Sequence, residues 1–245
     1  MAAAQQASSS SERRAEIEAN LADVSSAVQS NAGTDGPSRL VAVSKYKPAS
    51  DILAAYELGH RHFGENYVQE LCEKARELPS DICWHFIGRL QGNKCKALAA
   101  VPNLWAVETI DGEAKARKLD EAWGSAAHAR ALNVFIQVNT SDEENKGGVE
   151  LLKVEDVARA IAKECTHLRL LGLMTIGSVE GSRQRPNPDF LRLRQLRDDV
   201  KSALGLDHLE LSMGMSDDFE HALELGATNV RVGSSIFGSR APKAQ

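Results

Sequence analysis

Lys45 stands at the end of a short apolar run, in a position where its amine could do chemistry. The run is Leu40-Val41-Ala42-Val43, and Pro48 follows the lysine three residues later. A run this short and rich in valine is typical of a strand buried on both faces. A lysine that is held out of water has a lowered pKa, which suits Schiff-base formation. The alternative is a lysine that simply extends from the strand end into solvent.

Two segments with glycine and serine form a second group of candidates. They are Leu211-Ser-Met-Gly-Met-Ser216 and Arg231-Val-Gly-Ser-Ser235. Backbone N–H groups beside glycine, together with serine hydroxyls, are donors that bind phosphate. One such segment alone is more often an ordinary turn. The prediction of a phosphate site therefore depends on whether the fold brings the two segments together.

Strands and helices alternate along the whole chain. Apolar runs typical of strands cover residues 40–45, 61–66, 82–88, 104–110, 132–139, 168–176, 208–212 and 229–233. A helical pattern follows each of them, and a short helix or turn begins at Ser234. Eight such units predict an α/β protein with a single closed (β/α)8 TIM barrel, the alternative being an open doubly wound sheet. No Gly-x-Gly-x-x-Gly segment follows the first strand, which favours the barrel.

In a barrel, functional residues lie at the carboxyl ends of the strands. Phosphate often binds there between the loops that follow strands seven and eight, which are the positions of the two glycine and serine segments. Glu108 and Asn139 also lie near strand ends, but they are expected to start helices. A lysine and an anchored phosphate on one rim is the arrangement that holds pyridoxal 5′-phosphate (PLP). A lysine-dependent phosphosugar aldolase is the competing interpretation. Such an enzyme needs carboxylate and base partners around its lysine, and the sequence does not identify them.

Composition limits the class of protein. The chain has 245 residues, a formal net charge of −5 and 42% hydrophobic residues, which predicts one globular domain. A mildly acidic chain argues against nucleic-acid binding, and no apolar run approaches the ~20 residues of a membrane span. The four cysteines show no metal-ligand spacing and are typical of a reducing compartment, so the predicted location is cytoplasmic.

The two ends of the chain are predicted to lie outside the barrel. Residues 1–11 are rich in Ala, Gln and Ser, which predicts a disordered amino-terminal tail. Residues 12–29 carry apolar side chains at helical spacing, which predicts an extra helix before the barrel. The barrel domain, with this helix, is placed at 12–240 and a carboxyl-terminal tail at 241–245.

Five motifs resemble one known family, the pyridoxal phosphate homeostasis proteins of the YggS/PROSC type. The motifs are Val41-Ala-Val-Ser-Lys-Tyr-Lys-Pro48, Phe63-Gly-Glu-Asn-Tyr-Val-Gln-Glu70, Trp84-His-Phe-Ile-Gly-Arg-Leu-Gln-Gly-Asn-Lys94, Leu211-Ser-Met-Gly-Met-Ser216 and Val230-Arg-Val-Gly-Ser-Ser-Ile-Phe-Gly238. The resemblance covers about residues 12 to 240. It implies a fold-type III PLP barrel like the amino-terminal domain of alanine racemase.

The resemblance also implies roles for individual residues. Lys45 is expected to form the Schiff base (an aldimine) with PLP, and Arg231 to face the pyridine nitrogen. The other implied cofactor-binding residues are Ser212, Gly233 and Ser234 at the phosphate, Ser235 beside them, and Asn66, His85 and Met213 around the cofactor. Lys146 lies in a loop that departs from the family pattern at Asp142 and Asn145, so no role is predicted for it.

The same resemblance bears on catalysis. A racemase needs two acid–base groups on opposite faces of the substrate α-carbon. Fold-type III racemases place the second group, a tyrosine, on a separate β-domain of the partner subunit. In this sequence little chain follows strand eight, so no such β-domain is expected. An arginine at the pyridine nitrogen keeps that nitrogen unprotonated and so weakens the ring as an electron sink.

We therefore predict a monomeric carrier or buffer of PLP in vitamin B6 homeostasis. It would deliver PLP to apo-enzymes and carry no catalytic or metal-binding residues. A PLP-dependent amino-acid racemase of low activity is the alternative. A third reading is an interaction protein whose partner surface is the amino-terminal helix.

Overall fold

The computed structural model describes residues 2–31, 38–143 and 146–239, with only the backbone described for residues 2–10. Eight parallel strands close into a barrel in chain order. They are β1 (Arg39–Val43), β2 (His62–Glu65), β3 (Cys83–Phe86), β4 (Leu104–Ile110), β5 (Leu132–Gln137), β6 (Leu168–Met174), β7 (Glu210–Ser212) and β8 (Asn229–Val232). The prediction of a TIM barrel is confirmed.

Helices surround the barrel. They are α1 (Ala2–Ser30), α2 (Ala49–Glu57), α3 (Val68–Glu77), α4 (Cys95–Ala99), α5 (Glu113–Ser125), α6 (Val154–Glu164), α7 (Val179–Ser182), α8 (Pro188–Leu204), α9 (Phe219–Glu224) and α10 (Ser234–Phe237). Short 3₁₀ turns at Gly92–Lys94 and Leu151–Lys153 precede α4 and α6. Helix α7 was not predicted. Its N-cap residue is Ser178, whose side chain accepts from the Gly181 N–H.

Alternation along each strand separates two environments. In β1 the outward residues Leu40 and Ala42 belong to the large core between barrel and helices, whereas Val41 and Val43 point into the barrel. A small apolar cluster fills part of the interior, formed by Ala106, Phe135, Leu171 and Met174. Polar side chains occupy much of the remaining interior. The barrel therefore carries a buried polar layer beneath its carboxyl-terminal rim.

Helix α1 begins at Ala2, so it continues through the residues for which a disordered tail was predicted. Alanine propagates a helix readily once the later turns have formed, and residues 2–11 are rich in alanine. The predicted apolar stripe is buried, with Ile17 and Leu21 packed in the outer core. The predicted tail at 241–245 lies outside the described residues. No described helix is long and apolar enough to cross a membrane.

Candidate ligand-binding site

A cavity of about 370 Å³ opens at the carboxyl ends of the strands. Its polar lining includes Lys45, Asn66, Ser216, Arg231, Gly233 and Ser234. Its apolar lining includes Val43, Ile87, Met174 and Ile176. The structure thus brings the predicted lysine, the arginine and the two glycine and serine segments to one cavity.

Lys45 enters the cavity because it follows β1 on the inward face. Val43 lines the same cavity two residues earlier, as the period of a strand requires. Beyond the lysine the chain turns sharply, since Tyr46 has a φ of 63° and the Lys47 N–H donates to the Ser44 carbonyl at 3.0 Å. Lys45 itself is half-buried.

The loops after β7 and β8 meet at Ser216 and Gly233. The Gly233 N–H donates to Ser216 Oγ at 3.1 Å, and Ser234 follows as an exposed residue at the start of α10. Ser235 is half-buried and does not line the cavity. Ser216, Gly233 and Ser234 therefore line the cavity here, with the serines as the available donors, since the Gly233 N–H already donates to Ser216. Ser216 was not among the predicted contacts, although it ends the first of the two segments singled out in the sequence.

Lys47 is a second lysine that lines the cavity and was not predicted. Its Nζ donates to the carbonyls of Phe237 at 2.7 Å and Gly238 at 3.1 Å, at the end of α10. Arg13 of α1 also donates to the Phe237 carbonyl, at 2.8 Å. Burial lowers the pKa of Lys47, and the nearby Arg13 charge lowers it further. Lys47 lies beyond the turn at Tyr46, so the period of the strand did not predict its place in the cavity lining.

Arg231 forms the base of the cavity and is buried. Its Nη1 donates to Ser212 Oγ at 2.5 Å and its Nη2 to the Thr175 carbonyl at 2.8 Å. Ser212 Oγ in turn donates to Glu108 Oε2 at 2.6 Å and accepts from Asn229 Nδ2 at 3.0 Å. The Ser212 hydroxyl thus uses its one donor and both acceptor positions inside the barrel. It does not line the cavity, although the family resemblance implied a phosphate contact.

Glu108 was expected to start a helix, and that prediction is wrong. It lies within β4, fully buried, where the inward face of the strand directs it into the barrel. His85 Nδ1 lies 2.6 Å from Glu108 Oε1, and His62 Nδ1 lies 2.9 Å from His85 Nε2. We call His85, Glu108, Ser212, Asn229 and Arg231 the Glu108 network.

Charge in the Glu108 network is fixed by its hydrogen bonds. Burial alone raises the pKa of Glu108, but the His85 and Ser212 hydrogen bonds and the Arg231 charge outweigh it and lower the pKa. Burial lowers the pKa of His85, and burial lowers that of His62 to about 3. An ionised carboxylate only accepts, so His85 donates through Nδ1 and accepts from His62 through Nε2.

The remaining predicted residues divide between the cavity and the core. Asn66 lines the cavity, and its Oδ1 is buried without a hydrogen-bond partner. Its backbone lies so close to Gly88 that a Cβ at residue 88 would overlap the Asn66 carbonyl, which explains the glycine there. His85 lies in the Glu108 network below the cavity. Met213 is buried in the outer core and does not line the cavity.

The Lys146 loop lies apart from the cavity lining. Lys146 Nζ donates to the Gly177 carbonyl at 2.8 Å. Asn145, one of its two departures from the family pattern, is outside the described residues. Among the described residues, no group of three or more His, Cys, Asp and Glu side chains is arranged to hold a metal ion.

Comparisons with known proteins settle the family. The model of the alanine racemase N-terminal domain matches residues 13–241. A pyridoxal phosphate homeostasis protein from Schizosaccharomyces pombe is 52% identical over 202 residues, which are 82% of this chain and 84% of the relative. The chain belongs to the pyridoxal phosphate homeostasis protein family. Another member, from Escherichia coli K12, is 41% identical over 238 residues, or 92% of this chain and 97% of the relative.

Solved structures agree with this family and with the fold. PipY from Synechococcus elongatus, in a structure with PLP bound, is 32% identical, with a TM-score of 0.77 and coverage of 91% of this chain and 100% of that chain. Alanine racemase from Corynebacterium glutamicum is 18% identical, with a TM-score of 0.71 and coverage of 93% and 62%. This second likeness shows the shared fold alone and confirms the predicted barrel type.

Proposed function

We propose that this protein holds PLP in the cavity, with the aldehyde in a Schiff base with Lys45. Ser216 and Ser234 would donate to the phosphate, and Gly233 would let the backbone approach it closely. The observation that carries the proposal is a single cavity lined both by Lys45 and by these phosphate donors. The relatives named for pyridoxal phosphate homeostasis and the PLP-bound PipY structure support the choice of ligand.

The residues present fit PLP. Val43, Ile87 and Met174 offer apolar contacts for a pyridine ring. The buried, unpartnered Oδ1 of Asn66 leaves an acceptor for a polar group of a ligand. Arg231, anchored from below by Ser212 and Thr175, would donate to the pyridine nitrogen and keep it unprotonated.

The same residues support storage and delivery over robust catalysis. Bound PLP supplies an electrophilic carbonyl carbon and an electron sink. Racemisation also needs a second acid–base group opposite Lys45. None of the chain's three tyrosines lines the cavity, and the hydroxyls of Tyr46 and Tyr67 hydrogen-bond to each other at the exposed rim. The protein would therefore limit free PLP and pass it to apo-enzymes in vitamin B6 homeostasis.

Absorbance and turnover test the two parts of this proposal. Wild-type protein mixed with PLP should develop the visible band of a Schiff base. Lys45→Arg keeps the positive charge but cannot form that bond stably, so the band should be lost. A wild type that stays without the band after excess PLP overturns the binding proposal. Turnover of D- or L-amino acids at ~1 s⁻¹ or more replaces the carrier with a racemase.

Delivery requires a separate experiment. Loaded protein is mixed with an apo-enzyme while a trapping agent removes PLP that escapes into solution. A carrier reactivates the apo-enzyme faster than the same amount of free PLP in the presence of the trap. Equal reactivation by both means that this chain only buffers PLP.

The proposal also places the protein in the cytoplasm as a monomer. All four cysteines are free, which is in keeping with a reducing compartment. Light scattering of the purified protein, with and without PLP, measures the mass directly. A mass of two or more chains overturns the monomer.

A further inference from the structure

A buried ionic cluster lies behind Lys45, on the outer side of the barrel wall. Ser44, directly after β1, and Glu65, at the end of β2, point outward from the barrel, and both are fully buried. Lys74 of α3 lies against them, with its Nζ 2.7 Å from Glu65 Oε1 and 2.7 Å from Glu70 Oε1. Ser44 Oγ donates to the same Glu65 oxygen at 2.7 Å. We call these four residues the Lys74 cluster.

The Lys74 cluster contacts the peptide groups on both sides of Lys45. Lys74 Nζ donates to the Ser44 carbonyl at 2.9 Å, in the peptide that precedes Lys45. Glu70 Oε1 accepts from the Tyr46 N–H at 2.7 Å, in the peptide that follows it. The three protons of the Lys74 ammonium are thereby directed to Ser44, Glu65 and Glu70. The cluster thus clamps the backbone of one residue from two directions.

The backbone at this point needs such a restraint. Tyr46 has a φ of 63°, in the left-handed region that is unfavourable for a residue with a bulky side chain. A neighbouring conformation would turn the Tyr46 N–H away from Glu70 and move the chain that carries Lys45. Buried ion pairs contribute little net stability. The hydrogen bonds of this cluster reach the Ser44 carbonyl and the Tyr46 N–H, so they restrain the backbone on both sides of Lys45. The cluster therefore restrains the position of the Lys45 backbone, which is a separate effect from its contribution to the free energy of unfolding.

We propose that Lys74, Glu65 and Glu70 are positioning residues that fix Lys45 Nζ for attack on the ligand aldehyde. This inference rests on the proposed function, because it concerns the same Schiff base. The amine adds to the carbonyl carbon, and loss of water leaves the C=N bond. The cluster touches neither partner and acts only through the backbone of residues 44–46. Loss of the Lys74 cluster should therefore weaken formation of the Schiff base. The contacts of the protein with the phosphate and the ring of PLP should remain.

Two ligands separate positioning from general support of the cavity. PLP carries the aldehyde, whereas pyridoxine 5′-phosphate has the same phosphate and ring with an alcohol in its place. Glu70→Ala removes the acceptor for the Tyr46 N–H on a partly exposed helical residue, where alanine favours the helix. We expect the equilibrium constant for the Schiff base to fall about tenfold, the effect of losing a hydrogen bond to a charged group. Binding of pyridoxine 5′-phosphate should stay within about twofold, below the size of such a loss.

Matched variants complete the experiment. Glu70→Gln keeps an acceptor for the Tyr46 N–H and should restore most of the PLP affinity. Glu73→Ala changes an exposed residue of the same helix, which contacts Gln69, and should leave both ligands unchanged. Equal weakening of both ligands by Glu70→Ala, or no weakening of either, overturns the inference. Absence of the Schiff base in the wild type overturns the proposed function instead, so the two failures are distinguishable.

Discussion

Two buried carboxylates lie on opposite sides of the barrel wall, and their pKa values are shifted in opposite directions. Glu108 inside the barrel receives hydrogen bonds at both oxygens, and its pKa is lowered. Glu65 outside the barrel has one satisfied oxygen, while Oε2 is buried without a partner. Burial raises the pKa of Glu65 to about 6, even though Lys74 opposes this. The number of donors, more than the depth of burial, decides whether the pKa of each carboxylate is raised or lowered.

The Glu108 network and the Lys74 cluster therefore have different roles. In the Glu108 network, the lowered pKa of Glu108 favours a carboxylate 4.0 Å from Arg231 Nη1, which helps to fix the guanidinium at the base of the cavity. In the Lys74 cluster, burial raises the pKa of Glu65 to about 6, and the cluster holds the backbone on both sides of Lys45. Changes to the first should act on stability, and changes to the second on pH dependence and on Lys45.

The largest effect is expected from Glu108→Gln. The variant keeps the size of the side chain but leaves Arg231 buried without its nearest counter-charge. Removing one partner of a buried ion pair costs about 3–5 kcal/mol, so the free energy of unfolding should fall by that amount. Urea unfolding at pH 7 measures it. Glu57→Gln breaks an exposed pair with Arg14 and serves as the control, with little change expected. An unchanged midpoint for Glu108→Gln would show that the charge of Arg231 is balanced elsewhere.

A smaller effect, with a defined sign, is expected from Glu65→Gln. A carboxylate whose pKa is raised from 4.5 to about 6 stabilises the fold most below pH 4.5, and this stabilisation is lost as the pH rises through about 6. The glutamine does not titrate. The free energy of unfolding of the wild type, relative to Glu65→Gln, should therefore drop by about 2 kcal/mol between pH 4.5 and pH 7.

Urea titrations of both proteins at half-unit steps of pH measure this difference. A difference that grows with pH would mean that Lys74 lowers the pKa of Glu65 instead. A flat difference would mean that the unpartnered oxygen gains a donor in solution. Either result would remove the contrast with Glu108.

Ser212 at the end of β7 and Ser216 in the loop after it provide the third comparison. Ser216 lines the cavity, whereas Ser212 is committed to Arg231, Asn229 and Glu108. Ser216→Ala should weaken PLP binding about tenfold, since it removes a donor to a charged phosphate. Ser212→Ala should lower the free energy of unfolding by about 1–3 kcal/mol and weaken PLP binding less. Titration and urea unfolding of both variants measure the four values. The opposite pattern would place the phosphate at Ser212, as the family resemblance implied.

The sequence predicted the barrel and the position of Lys45 at its rim, because both follow from the periodicity of strands and helices. Eight apolar runs alternate with helical patterns, and a strand end determines which way the lysine points. Glu108 was misplaced because its strand is buried on both faces, so no alternation of polar and apolar residues marks its inward face. Ser212 and Ser216 could not be ranked, since β7 has three residues and the path of the loop after it depends on contacts with β8.

The sequence did not reveal Lys74 as a buried residue, for a different reason. The residue lies in a charged helix and looks like a solvated side chain, yet it occupies the buried stripe between Leu71 and Leu78. The spacing of three and four residues was a usable signal. Glu70 is four residues away on the same helix and Glu65 is nine residues away, but Ser44 is thirty residues away, so the Lys74 cluster itself required the three-dimensional structure.

The smallest effect is expected from Tyr67→Phe, which tests whether the rim tyrosines take part in proton transfer. The hydroxyls of Tyr67 and Tyr46 contact each other, both side chains are about half exposed, and neither lines the cavity. Removal of one exposed hydroxyl should change the free energy of unfolding by no more than about 0.5 kcal/mol.

Formation of the Schiff base, and any slow turnover of amino acids, should be unchanged in Tyr67→Phe. Tyr46→Phe is the paired variant, because it removes the other hydroxyl while keeping the backbone contact to Glu70. A loss of turnover in both variants would identify the tyrosine pair as the second acid–base group and favour a racemase. Unchanged turnover leaves Lys45 without a tyrosine opposite it, and the contrast between the two networks then concerns how PLP is held.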